Sequence, residues 1–100
     1  MAILRIDLQE GFQNDVVVIR VDGKEVYRKT GVETNLAIAL ADSVELNVPE
    51  STVKVEVAVP SRNSSESVTV AVQDPTHLAF SITSGGGITH KTSREPFRYM

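Results

Sequence analysis

Residues 85 to 92, GGGITHKT, come nearest to a reagent-binding motif. A phosphate-binding loop has a glycine, four residues, then glycine, lysine and serine or threonine, so that backbone N–H groups cradle the phosphates and the lysine neutralises them. Gly85, Lys91 and Thr92 fit that spacing, but His90 stands where the second glycine belongs. The motif must also open a helix whose first amides face the anion. Pro96 breaks the segment that would have to form it. The triglycine therefore reads as a hairpin tip, where Gly85, Gly86 and Gly87 supply positive φ or let the backbone pass close to a neighbour.

His77 and His90 are the two imidazoles. A hairpin around 84 to 87 that pairs Thr83 with Ile88 places His90 opposite Ser81 and well away from His77, so the two share no metal. No acidic residue lies between Asp74 and Glu95 to act as a third ligand. Both histidines are expected at the surface. With no cysteine in the chain, disulfides, thiolate-bound zinc, iron–sulfur clusters and thiol nucleophiles are excluded. The serines are numerous, but none lies in a G-x-S-x-G elbow. Carboxylates in the first third occur singly, and a strand separates Asp15 from Asp22, so they cannot converge on calcium. The expectation is no enzyme, no cofactor and no metal, with a hydrolase as the weakest reading.

The aromatic residues are Phe12, Tyr27, Phe80, Phe97 and Tyr99, without tryptophan. Phe80 belongs to an inward alternation. Val16, Val18 and Tyr27 share the opposite alternation, which is unusually apolar for a solvent face. Either Phe97 or Tyr99 from the C-terminal EPFRYM covers it, or it is a surface for a protein partner or a second copy. The polar turn at 61 to 67, with Arg62 and Asn63, and the turn at 84 to 87, with Gly85, Gly86 and Gly87, form candidate ligand loops for a small molecule or sugar.

These residues need a scaffold, and its nature is plain from period-two alternation. Leu4, Ile6 and Leu8 alternate with Arg5 and Asp7. The same pattern recurs at Val17, Ile19 and Val21, at Val44, Leu46 and Val48, at Val53 to Val59, at Val68 to Val72 and at Leu78 to Ile82. Turn residues separate the runs by roughly ten residues, the spacing of a sandwich or barrel. Asp22-Gly23 in VVVIRVDGKEVY suits a type I′ turn, which needs φ > 0 at both central positions. That turn pairs Val21 with Lys24, Arg20 with Glu25, Ile19 with Val26 and Val18 with Tyr27. Residues 34 to 41, TNLAIALA, are ambiguous between strand and helix, with strand preferred.

The 100 residues form one domain, with a net charge of −3. Residues 88 to 100 hold Lys91, Arg94 and Arg98 against Glu95, so the rest of the chain is the acidic part. An acidic body argues against nucleic-acid binding. No apolar run approaches the roughly 18 residues of a membrane span, and the N-terminus lacks the pattern of a signal peptide. A cytoplasmic protein is expected. The fold expected is all-β, an antiparallel β-sandwich of about eight or nine short strands, of immunoglobulin-like or jelly-roll type, with a small β-barrel as second choice. It resembles an immunoglobulin-like module in strand count and length alone, lacking that family's cysteine pair and tryptophan. The leading functional expectation is a non-catalytic binding or assembly module acting through that apolar face or through sheet edges. A homo-oligomer would fit it, and a small-ligand or carbohydrate-binding sandwich is the alternative.

Overall fold

A computed structural model describes residues 2 to 97. Eight strands follow one another: β1 (Ala2–Leu8), β2 (Asp15–Val21), β3 (Lys24–Val32), β4 (Asp42–Val48), β5 (Thr52–Val59), β6 (Ser64–Ala71), β7 (Thr76–Ile82) and β8 (Ile88–Ser93). They form two four-stranded sheets, ordered β4-β1-β7-β8 and β3-β2-β5-β6. The sheets face each other as a sandwich and do not close into a barrel. Every pairing is antiparallel except β1 with β7, which run parallel at the centre of the first sheet. A single parallel pair thus departs from the purely antiparallel expectation.

The alternating residues supply the core. Leu4, Ile6 and Leu8 from β1 meet Val17 and Ile19 from β2, Val53 to Val59 from β5, and Leu78, Phe80 and Ile82 from β7, all buried. Each such side chain removed from water contributes about 1.5–3 kcal/mol before the entropy of ordering it is subtracted. Val44, Leu46 and Val68 lie on outermost strands and are only partly covered.

The Asp22-Gly23 turn forms as expected, with φ of 50° and 83°. The Asp22 carboxylate and N–H both bond to the Lys54 backbone at 2.8 Å, pinning the turn to β5. Val21 faces Lys24 and Arg20 faces Glu25, but a bulge follows. Val26 is the extra residue, so Ile19 faces Tyr27 and Val18 faces Arg28. The bulge turns Tyr27 to the inner side, where it packs against the core. Its hydroxyl donates to Asp42 Oδ2 at 2.7 Å, and Lys29 Nζ reaches the same oxygen at 3.2 Å. Burial pushes the Tyr27 phenol up, and the adjacent Asp42 carboxylate pushes it further. These contacts join the outer strands β3 and β4 across the two sheets.

Three other expectations are corrected. Residues 34 to 41 are neither strand nor helix. Asn35 bridges to Leu40 around a turn, its carbonyl accepting from Ala39 at 2.8 Å and its side chain from Ala37 at 3.0 Å. An asparagine that satisfies the local backbone in this way competes with both regular structures. The polar turn at 61 to 67 shrinks to a 3₁₀ turn, Pro60–Arg62, capped by Asn63 at φ 56°. The serines from Ser64 onward belong to β6. In the β7–β8 hairpin Thr83 pairs with Gly87, not Ile88, which slips the ladder by one and sets His90 opposite Phe80 rather than Ser81.

Gly11 lies where the chain leaves the first sheet for the second. Its φ is 90°, and a Cβ there would come within 2.1 Å of the Ile82 carbonyl oxygen. Gly23 has φ 83° but open space around it. Gly11→Ala is therefore expected to cost about 3 kcal/mol or more, against about 1–2 kcal/mol for Gly23→Ala from backbone strain alone. Urea unfolding of the two variants measures this, and equal losses would remove the special role given to Gly11.

Candidate functional site

Among the described residues, four strands have a free edge: β4 and β8 in one sheet, β3 and β6 in the other. Free edges invite pairing with other chains, and proteins normally blunt them with charge, proline, bulges or brevity. β3 carries a bulge and the charges of Lys24, Glu25, Arg28 and Lys29. β4 places Glu45 on its outer face and runs directly into Pro49. β8 is six residues long and carries Lys91. β6, SSESVTVA, has eight residues in unbroken register with β5 and contains no proline, glycine or basic residue.

The register shows which β6 groups face outward. Lys54 directs its N–H and C=O towards Asp22 on the β2 side, so it makes no ladder bonds to its β6 partner Thr69. Alternation along an antiparallel pair then turns Ser64, Glu66, Val68 and Val70 towards β5. Ser65, Ser67, Thr69 and Ala71 direct their N–H and C=O groups away from it. Their side chains are exposed on the outer face of the sheet. Glu66, the one charged residue of β6, is half-buried on the inner side and lies 3.6 Å from His90 Nδ1 of β8.

Both candidate ligand loops abut this strand. Ser64 Oγ donates to the Gly86 carbonyl at 2.8 Å, so the 3₁₀ turn and the triglycine tip, distant in sequence, are neighbours. Gly86 takes φ 88°, and the Gly87 N–H donates to Thr83 Oγ1 at 3.2 Å. Gly85 and Asn63 are exposed. Arg62 is committed elsewhere. Its Nε reaches Asp15 Oδ1 at 3.0 Å, and its Nη2 donates to Asp15 Oδ2 at 3.1 Å and to the Gly11 carbonyl at 2.9 Å. Ser61 Oγ donates to the same carboxylate at 2.8 Å. Burial works to raise the Asp15 carboxyl, but hydrogen bonds from Arg62, the Gln13 N–H and Ser61 outweigh it and hold the carboxyl below its ordinary range. The guanidinium thus fastens the start of β2 to the β5–β6 turn.

The apolar face expected at Val16, Val18 and Tyr27 does not exist as one surface. The bulge sends Tyr27 inward. Val18 is buried on the outer side of its sheet, beside Ala58 and Arg28, and Val16 is half-buried. Phe97 does not cover them. It lies on the opposite sheet, edge-on to His77 at 6.4 Å, with Lys91 Nζ 5.4 Å from its ring centre. Tyr99 lies outside the described residues. His77 is consequently buried, against the expectation of a surface residue, because β7 is a central strand with Phe97 above it. His90 is exposed.

Two surface hollows are lined by residues outside the two loops. One of about 300 Å³ lies between Phe12, Glu33 and the exposed Leu36, and one of about 200 Å³ lies between Gln9, Ser81 and Lys91. Among the described residues no three histidine, aspartate or glutamate side chains gather to hold a metal ion, and no helix is long and apolar enough to cross a membrane. Compared with protein-family models, curated proteins and solved structures, the chain matches none.

Because the folded Asp15 carboxyl is held below its ordinary pKa, its contribution is complete above the unfolded value of about 3.9 and fades as pH falls through the lower folded value. Asp15→Asn should lose about 2 kcal/mol at neutral pH, and the gap to wild type should close as the solution is taken below about pH 4. Urea unfolding across that range checks it; a gap that persists undiminished in strong acid would mean the pair is not the source.

Proposed function

We propose that the protein is a non-catalytic binding and assembly module that takes up an extended protein segment along the free edge of β6. The observation that carries this reading is the outward row of main-chain groups at Ser65, Ser67, Thr69 and Ala71, on an edge without a blunting device. Strand addition draws its affinity from main-chain hydrogen bonds and its selectivity from alternate side chains. Small hydroxyl and methyl side chains on the outer face leave the incoming strand room. A protein segment suits an acidic chain better than nucleic acid does. We assign the work to the cytoplasm, since a chain without cysteine needs no oxidising compartment.

The sugar-binding alternative has less support. Arg62 is bound to Asp15, and Phe12, Tyr27, Phe80, Phe97 and Tyr99 all lie outside the two loops in sequence. Stacking platforms for a sugar ring would have to come from such residues.

Thr69→Pro separates edge function from folding. The Thr69 N–H points outward, so proline removes a docking bond without removing a ladder bond. Panning a phage library of random octapeptides on wild type should enrich alternating, β-favouring sequences that the variant, still unfolding cooperatively, no longer retains. If both proteins select the same peptides, or neither selects any when wild type is presented dilute and monomeric, strand addition at β6 is wrong.

A further inference from the structure

Resting on that reading, we infer that the strand taken up by β6 is β6 of a second copy, placed antiparallel about a two-fold axis through Val68. A two-fold axis perpendicular to a sheet pairs residue i with j and j with i, and keeps inner faces on the same side. In β6 the even-numbered residues face inward, opposite Val53, Val55, Val57 and Val59, which are buried. An axis through Val68 is the one that matches all four outward-facing residues with one another. Ser65 then meets Ala71 of the copy, and Ser67 meets Thr69. Each of the four facing pairs exchanges two main-chain hydrogen bonds. The two sheets become one continuous sheet of eight strands.

The side chains accept this register. On the outer face the Ser67–Thr69 pairs bring hydroxyls within bonding reach, a favourable cross-strand pairing. On the inner face the two Val68 side chains, half-buried in one copy, meet across the axis and extend the valine core. Glu66 faces Val70 of the copy, and the two Glu66 carboxylates stand four residues apart along the strand, about 13 Å. No like charges oppose each other, and Glu66 keeps His90 as its partner. A foreign strand would have to bring its own matching pattern, whereas a second copy carries it already.

Light scattering coupled to size exclusion, over a concentration series of the full chain, tests this. Wild type should approach twice the 10.9 kDa chain mass as concentration rises. The double variants S67E/T69E and S67K/T69K set like charges opposite each other at both central pairs, on side chains exposed in one copy. Each alone should associate at least about tenfold more weakly than wild type, while unfolding at the same urea concentration in solutions dilute enough for both to be monomers. Mixed together, they should associate again, because each facing pair then joins opposite charges. A wild type that stays monomeric throughout overturns the second-copy inference but leaves strand uptake standing if panning has selected peptides. A dimer that both charge variants preserve, or variants that do not recombine on mixing, also overturns it.

Discussion

The whole sandwich hangs on the seven residues that carry the chain from one sheet to the other. Between Leu8 and Val16 the backbone leaves β1, bends at Gly11 and enters β2, and it is bonded on every side as it goes. The Gln9 N–H donates to the Phe80 carbonyl and the Ile82 N–H to the Glu10 carbonyl, both at 2.8 Å, so the crossing continues the edge of β7. Thr34 Oγ1 donates to the Gln9 carbonyl at 2.7 Å and accepts from the Phe12 N–H at 3.1 Å. Arg62 holds the Gly11 carbonyl and Asp15 together. Where the crossing is buried, at Gln9, Phe12 and Asp15, it cannot leave its polar backbone groups unpaired. Here partners come from β7, from the 33–35 segment and from the β5–β6 turn, which fixes three otherwise separate parts of the molecule against one another.

The flanks of the sandwich are closed by side chains. On one side Tyr27 and Lys29 of β3 converge on Asp42 of β4; on the other, Ser64 bonds to Gly86 and Glu66 meets His90. The first flank has two hydrogen bonds to one carboxylate held low by them, burial opposing. The second is looser, with an ion pair that depends on protonation of His90. The less firmly closed flank is also the one where β6 presents its unpaired main chain.

Period-two alternation made the architecture legible, because a one-residue slip would have moved whole sets of valines into water. The same rule located the inward faces of β1, β2, β5 and β7 residue by residue. It failed where one residue broke the count. The bulge at Val26 and the shifted tip at Thr83–Gly87 are each single-residue events, and they redirected Tyr27 and His90. Asn35 hid a turn inside an apolar run, since its side chain rather than its neighbours decided the outcome. Serines concealed the first half of β6, because Ser64 to Ser67 have no hydrophobic period and owe their strand conformation to their partners on β5. The tip at 84 to 87 and residues 61 to 63 of the polar turn are loops as expected, but the contact between Ser64 and Gly86 is long-range and leaves no local signal. The commitment of Arg62 to Asp15 is invisible for the same reason.

The parallel pairing of β1 with β7 has a consequence in time. Leu4 lies beside Thr76 and Leu8 beside Phe80, so the first strand finds one of its two partners only after most of the chain exists. The sheet of β2, β3, β5 and β6 uses residues 15 to 71 alone and draws on two adjacent hairpins. During synthesis from the N-terminus this sheet can assemble first, while β1 has β4 beside it but still lacks β7. Non-local pairing of this kind is slow because the loop must close before the contact repays it. The parallel pair at the centre of the first sheet can therefore close only once β7 has been made, near the end of synthesis.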